Sequence, residues 1–234
     1  MKGTLYLIPS PLGEGSLSDI LPIGVIERVS TISYFIAEHP KTARQFLKLA
    51  GSDKPIQEIG IAVLDEHTKR DDLDVLLEPI LEGRDAGLVS EAGCPAVADP
   101  GSDLVMLAHE KGIRVIPLVG PSSILLALMA SGLGGQRFSF HGYLPVEKEK
   151  LSSKIREMEK ESGIRKETQI FIETPYRNRK LLEALLEHCN DATLLCVATD
   201  VTLPSESVIT KKIAEWKKNP FEIGKRPTVF LIRC

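Results

Sequence analysis

This sequence predicts an α/β protein built in two parts, on three observations. Short apolar runs alternate with amphipathic stretches from the N-terminus to residue 130, the pattern of βαβ units around a mostly parallel sheet. The segment Ser131-Gly132-Leu133-Gly134-Gly135-Gln136 then interrupts that alternation, so the domains are expected at 1–131 and 132–234. The 234 residues, 43% hydrophobic and 26% charged, have the composition of a folded globular chain.

The elements follow in order. Thr4 to Ile8 reads as a buried strand, and Pro9-Ser10-Pro11-Leu12-Gly13 as a loop leaving its end. Ser30 to Ala37, rich in Ile, Tyr and Phe, reads as a second strand. Thr42 to Ala50 reads as a helix stopped by Gly51, a residue that tolerates positive φ. Gln57 to Leu64 is a candidate third strand. Leu73, Leu76, Leu77, Ile80 and Leu81 share one helical face over 71–81. Gly87 to Ser90 is a short strand before the Gly/Pro-rich stretch 91–101. Ser102 to Lys111 is a helix closed by Gly112, Arg114 to Leu118 a strand, and Ser122 to Ala130 a helix entered from Gly120-Pro121. Past the break, strands are expected at 138–144, 168–172, 193–198, 207–210 and 228–232. Helices are expected at 151–161 and 177–188. The second half is therefore also α/β, with more hairpin character.

Several function classes are excluded at this level. No apolar run approaches the ~20 residues that span a bilayer, so no membrane partner is expected. Leu5 to Ile8 is shorter than the roughly 7–15 apolar residues of a signal-peptide core. Cys94, Cys189, Cys196 and Cys234 form no C-x-x-C pair, which fits a reducing, cytoplasmic setting. The five histidines never fall at zinc-ligand spacing, so no metal is expected. Net charge is −3, unevenly spread: residues 1–118 carry 11 Lys/Arg against 18 Asp/Glu, and residues 119–234 carry 18 against 14. A basic second half suits a phosphate-bearing partner; an average solvated surface explains it equally.

Ligands of open α/β sheets bind outside the carboxyl ends of the strands. Three loops carrying Gly and Pro leave such ends here: 9–16, 90–101 and 119–123. Gly lets a backbone approach a ligand and Pro fixes loop shape, while Ser122 and Ser123 open a helix whose free N–H groups suit a carboxylate. Tight βα turns would look similar one at a time; three on one rim favour a site. The usual nucleotide fingerprints are missing. Gly13-Glu14-Gly15 is followed by Ser16-Leu17-Ser18, and neither a P-loop nor a G-x-S-x-G elbow occurs.

The same loops carry a resemblance. Ser90-Glu91-Ala92-Gly93-Cys94-Pro95-Ala96-Val97-Ala98-Asp99-Pro100-Gly101 resembles the S-[DE]-A-G-x-P-x-x-x-D-P-G signature of the tetrapyrrole methylase superfamily, in the form of its 16S rRNA cytidine 2′-O-methyltransferase branch. In the same order, Ile8 to Gly13 resembles V-P-T-P-I-G, and Pro117 to Ser123 resembles P-L-P-G-P-S-A. Phe140 to Pro145 resembles F-x-G-F-L-P, and Phe171 to Arg177 resembles F-Y-E-S-P-H-R. The long signature is specific; the short ones convince through their order along nearly the whole chain.

The resemblance implies two α/β domains with S-adenosylmethionine in the cleft between them, usually in a homodimer. By that match Pro11 and Gly13 line the first wall of the cofactor site, and Ser90 belongs to it. Gly93, Pro95 and Val97 follow the methionine part, and Ser122 and Ser123 hydrogen-bond it. Glu173, Ala198 and Thr199 approach the adenosine, which Pro227 and Thr228 also border.

The substrate side departs from the branch. Its A-E-D-T-R becomes Ala37-Glu38-His39-Pro40-Lys41, its H-x-H-N becomes Asp65-Glu66-His67-Thr68, and its R-E-x-T-K becomes Thr199 to Glu206 without an Arg or Lys. Lys41 lacks the planar fork of arginine, and Pro40 removes a backbone donor where a helix begins. Glu38 and His67, at the ends of neighbouring strands, are the candidate catalytic residues, since either a carboxylate or a neutral imidazole can take a hydroxyl proton. Helix capping by Glu38 and simple solvation of His67 are the plain alternatives. Cys94 stands where the family often has Thr and reads as a packing residue.

The leading functional expectation is an S-adenosylmethionine-dependent methyltransferase acting on RNA, at a ribose 2′-hydroxyl of rRNA cytidine or a related site. The run Arg177-Asn178-Arg179-Lys180 is a candidate phosphate contact. Two alternatives stand beside it: a tetrapyrrole or other small-molecule acceptor, and a non-catalytic paralogue that keeps the cofactor pocket.

Overall fold

The computed structural model describes residues 1–219 and 222–234. The chain divides into two compact units, Met1–Ser122 and Ser123–Cys234. Each contains one five-stranded sheet covered by helices.

In the first unit, β1 (Thr4–Ile8), β2 (Tyr34–Ala37), β3 (Gly60–Val63), β4 (Ala86–Val89) and β5 (Arg114–Pro117) form a wholly parallel sheet in the order β3-β2-β4-β1-β5. Alternate residues face opposite sides, as the period of a strand requires. Ile8, Phe35, Ala37 and Val89 join one core, with Leu17 of α1 (Leu17–Ile20), Val25 and Val29 of α2 (Ile23–Thr31), and Phe46 and Leu47 of α3 (Pro40–Ala50). Leu5, Ile36 and Leu88 join the other, with Leu73, Leu77 and Ile80 of α4 (Arg70–Leu81) and Leu104 and Ala108 of α5 (Gly101–Glu110). All four residues of β4 are buried, as expected of a central parallel strand covered on both faces.

Two expectations shift here. The second strand begins at Tyr34, because residues up to Thr31 belong to α2, which buries Val25 and Val29 one turn apart. The third begins at Gly60, after a single 3-10 turn over Ile56–Glu58.

The second unit is mixed, in the order β6-β7-β10-β8-β9. β6 (Phe138–Tyr143) runs parallel to β7 (Thr168–Glu173), while β10 (Thr228–Arg233) pairs antiparallel with β7 and with β8 (Leu194–Thr199), and β8 with β9 (Ser207–Lys212). Phe171 lies opposite Phe230 across the β7–β10 pair, with ring centroids 5.9 Å apart. On this face pack α7 (Lys148–Arg165), α8 (Asn178–His188) and α9 (Ile213–Lys218). The expectations contain no helix at α9. It is only six residues long, and tertiary packing identifies it: Trp216 is buried and its Nε1–H donates to Leu195 O at 3.0 Å.

The compact units divide at Ser122–Ser123, upstream of the expected boundary between 131 and 132. α6 (Ser123–Ser131) packs against the β8–β10 side of the second unit, and Thr210 Oγ1 donates to Ser131 O at 2.8 Å. The Gly-rich stretch after it is no linker. Thr168 Oγ1 donates to Leu133 O and Gly134 O at 3.0 and 2.9 Å, and Arg233 also bonds Leu133 O. Its glycines provide the positive φ of a tight turn into β6, +71° at Gly132 and +84° at Gly134.

Candidate functional site

The three Gly/Pro loops leave the carboxyl ends of β1, β4 and β5, and the chain ties them together. Ser10 and Gly93 form an isolated antiparallel bridge, with Ser10 N–H donating to Gly93 O at 2.9 Å and Gly93 N–H to Ser10 O at 3.0 Å. Ser10 Oγ donates to Ser90 O at 2.8 Å, and Ser90 Oγ to Gly93 O at 3.0 Å. The third loop joins through Cys94, whose Sγ donates to Pro121 O at 3.4 Å. Burial pushes the Cys94 thiol up from its usual range, which suits a packing role and opposes a nucleophilic one. Close approach completes the seam: a Cβ at Gly120 would stand 2.7 Å from Pro9 Cγ, nearer than any real side chain allows.

The 90–101 loop is held in an uncommon shape. Ala96 and Ala98 sit at φ +64° and +59°, a conformation costing an L-residue about 1–2 kcal/mol. Asp99 offsets it, its Oδ1 accepting Ala96 N–H at 2.7 Å and Gly101 N–H at 2.8 Å. Intramolecular hydrogen bonds contribute about 0.5–1.5 kcal/mol each, of the order of the cost at Ala96. Burial raises the Asp99 pKa from the ordinary carboxylate value, against the lowering effect of those two N–H groups. Asp99 lies inside the recognised motif, but its organising role is visible only once the loop is folded.

Beside this seam lies a cavity of about 750 Å³. Ser10, Pro11, Gly13, Val89 and Ser90 line it from the strand ends, and Gln45 and Phe46 from α3. Pro95 is buried, Val97 is half exposed, and Ser122 and Ser123 are partly buried. Glu38 is half-buried at the end of β2 and lines a small recess with Ser90 and Asp99. Among the described residues its carboxylate has neither a hydrogen bond nor an ion pair.

His67 is placed differently. Asp65 accepts the His67 backbone N–H at 2.9 Å and the Thr68 hydroxyl at 3.0 Å, forming a closed turn after β3. These bonds hold the Asp65 carboxyl below its usual value, the His67 N–H contributing most. The imidazole points outward, its side chain 84% exposed and its Nε2 3.7 Å from Glu66 Oε1. No bond joins Glu38 to His67 among the described residues.

In the second unit the expected adenosine-side residues fall into one row. Thr228 lies opposite Glu173 on one side and Thr199 on the other. Ala198 lies opposite Val229, and Pro227 O accepts Asp200 N–H at 3.0 Å. The side chains of the row are used internally. Glu173 accepts Arg177 Nη2–H at 2.7 Å and Thr174 N–H at 2.7 Å, and Thr228 Oγ1 donates to Arg226 O at 2.9 Å.

Asn178, named in the sequence only as part of a basic run, is a structural member of this row. It is fully buried at the start of α8, and its Nδ2 donates to Arg226 O at 2.7 Å and Thr228 Oγ1 at 3.0 Å. Its Oδ1 has no partner among the described residues. The signal in the sequence was an Asn opening a helix, which is ordinarily read as a cap.

The fold and these loops have known counterparts. A solved structure described as the methyltransferase CobJ superposes with a TM-score of 0.65 at 21% identity, over 99% of this chain and 94% of that one. Ribosomal RNA small subunit methyltransferase I of Vibrio cholerae is 32% identical over 213 residues, 90% of this chain and 69% of that protein. The Haemophilus influenzae protein of the same name is 29% identical over 219 residues, 92% and 73% of the two chains. The profile of the Tetrapyrrole (Corrin/Porphyrin) Methylases matches residues 4–217. That span runs from β1 into α9 and includes every loop of the Ser10–Gly93 seam, so the chain belongs to the tetrapyrrole (corrin/porphyrin) methylases and is a methyltransferase.

Proposed function

We propose that this protein methylates RNA at a ribose hydroxyl with S-adenosylmethionine as donor. The observation that carries the proposal is the joint one just described. The loop seam lies within a stretch shared with two proteins named ribosomal RNA small subunit methyltransferase I, over about nine-tenths of this chain.

The residues fit the donor. Pro11, Gly13, Ser90, Gly93, Pro95 and Val97 offer backbone and small apolar surface, with Ser122 and Ser123 offering hydroxyls at a helix start. Glu173, Ala198, Thr199, Pro227 and Thr228 form a pre-satisfied row, and the unpartnered Asn178 Oδ1 beside it is an acceptor suited to an amino group. When bound, S-adenosylmethionine supplies a methyl on a sulfonium centre, open to in-line attack by a positioned nucleophile. Glu38 is the base in this reading. Its unpartnered carboxylate, half-buried at the sheet rim, takes the proton of the acceptor hydroxyl, a step contributing about 10²–10⁴-fold where it operates. His67, turned to solvent, serves at most as a substrate contact.

A homodimer belongs to the same proposal. A sedimentation mass near 25.7 kDa at micromolar concentration would remove it. The cavity of about 750 Å³ is of small-molecule size, which supports a second reading with a tetrapyrrole or other small acceptor. Transfer of labelled methyl from S-adenosylmethionine into ribosomal RNA of a strain lacking the 16S cytidine 2′-O-methyltransferase decides between them. Label in a nuclease-resistant 2′-O-methyl dinucleotide supports the RNA reading, and label only in an added small-molecule extract supports the second.

A further inference from the structure

We infer that the exposed face of α3 is the track that holds the phosphate backbone of the RNA beside the cavity. The inference rests on the RNA reading above and gives that site its substrate-binding surface.

α3 buries Ala43, Phe46, Leu47 and Ala50, and exposes Lys41, Arg44 and Lys48. These three recur at i, i+3 and i+7, one stripe of a helix, and span about 10 Å. With Gln45, Ile56 and Gln57 they line a groove of about 450 Å³ that contains no acid. Gln45 and Lys48 also border the larger cavity that reaches Ser10 and Ser90. The groove therefore leads to the rim where Glu38 sits.

Charge context sets this stripe apart. The first unit carries seven more acids than bases, and four of its eight other Lys and Arg residues have a carboxylate or ring partner. Arg70 pairs with Glu110, Arg84 with Glu82 and Lys111 with Asp74, and Arg28 lies over the Tyr6 ring. α3 contains no Asp or Glu, and Lys41, Arg44 and Lys48 have no carboxylate partner among the described residues. Like charges at this spacing repel, and a polyanion relieves that repulsion. The two glutamine amides add donors and acceptors suited to sugar and base edges. Arg44 also supplies, one turn beyond Lys41, the planar fork that Lys41 lacks.

The basic run of α8 offers less: Arg177 is paired with Glu173 at 2.7 Å and Arg179 with Glu183 at 2.9 Å, Asn178 is buried, and Lys180 alone is exposed without a carboxylate partner among the described residues.

The test is binding of the full chain to a fluorescent, mixed-sequence single-stranded 20-mer RNA across about 50–200 mM KCl. Each phosphate neutralised on a single strand contributes about 0.7 to the slope of log affinity against log salt. K41Q/R44Q/K48Q should bind at least tenfold more weakly, with a slope shallower by about two, and with S-adenosylmethionine affinity within twofold of wild type. K41R/R44K/K48R should keep the wild-type slope, and so should R179Q on α8. A triple glutamine variant with wild-type affinity and slope overturns the inference while the RNA reading stands. A wild-type chain that neither binds nor methylates RNA overturns both.

Discussion

Ser10 and Gly93 exchange both backbone hydrogen bonds, at 2.9 and 3.0 Å, across loops that leave strands β1 and β4. These residues are 83 positions apart and belong to no regular sheet, yet they meet as a hydrogen-bonded pair of an antiparallel ladder would. Their bond sets the separation of the first two loops, and Cys94 to Pro121 O fixes the third. A binding rim made of irregular backbone needs such ties, because loops otherwise keep the conformational freedom that ligand binding would have to remove.

Gly93 tests that seam. Its φ is +75°, and a Cβ added there would stand 3.3 Å from Leu12 Cδ2. Gly93→Ala should therefore lower the unfolding free energy by about 1–2 kcal/mol. Gly93→Leu adds a side chain that displaces Leu12 and opens the bridge. It should weaken S-adenosylmethionine binding at least tenfold in calorimetry. The expected damage is at the loop junction, where Gly93 meets Leu12 and Ser10. Wild-type affinity in Gly93→Leu would show that the seam does not shape the donor site.

Asp99→Ala leaves the N–H groups of Ala96 and Gly101 without their acceptor. The loss should be about 1–3 kcal/mol, read by urea denaturation, while Asp99→Asn retains an acceptor oxygen and should lose less. The pH dependence has a definite sign. The folded value is raised above the ordinary 3.8, so the group's contribution is full below about 3.8 and declines as pH rises through the folded value. Wild-type stability relative to Asp99→Asn should therefore fall on going from acid to neutral pH, and a rise would refute the placement.

Glu38→Gln should reduce kcat about 100-fold or more, with donor affinity unchanged. His67→Ala, removing a side chain that is 84% exposed, should stay within about threefold of wild type. Single-turnover methyl transfer separates the two. Equal losses in both variants would return His67 to the catalytic set.

Thiol labelling should follow burial. Burial and the neighbouring Glu159 carboxylate push Cys189 up to about 12, and Cys196, fully buried, is also raised. Cys234 is exposed and should react with a thiol reagent at about pH 8 within minutes, whereas Cys189 and Cys196 should react only on unfolding. Mass spectrometry of the labelled peptides reads the order, and rapid labelling of Cys189 in the folded chain would contradict it.

Local pattern was enough for much of the fold. Buried parallel strands such as Ala86–Val89 and one-faced helices such as Arg70–Leu81 announce themselves through composition and period. α1, α2 and α9 escaped because each is defined by what it packs against: Leu17, Val25 and Val29 under the first sheet, Trp216 under β8. The Gly-rich run at 131–136 looked like a boundary for the opposite reason. Its side chains are uninformative, and the hydrogen bonds from Thr168 and Arg233 that bind it to the second unit come from residues far along the chain.

The sequence by itself determined the two α/β sheets, the three Gly/Pro loops and the motif order that carries the family, since these depend on residue type and near-neighbour spacing. Tertiary structure alone decided which candidates lie together. Glu38 faces a recess beside Ser90 and Asp99, His67 turns to water in an Asp65-held turn, and Asn178 joins the row of Glu173, Thr228 and Thr199. It also paired Arg177 and Arg179 of the basic run with Glu173 and Glu183, and left Lys41, Arg44 and Lys48 of α3 without a carboxylate partner among the described residues. The physical reason is range. Periodicity and loop chemistry act over a few residues, whereas burial, hydrogen-bond satisfaction and charge pairing depend on which segments the fold brings within a few ångströms.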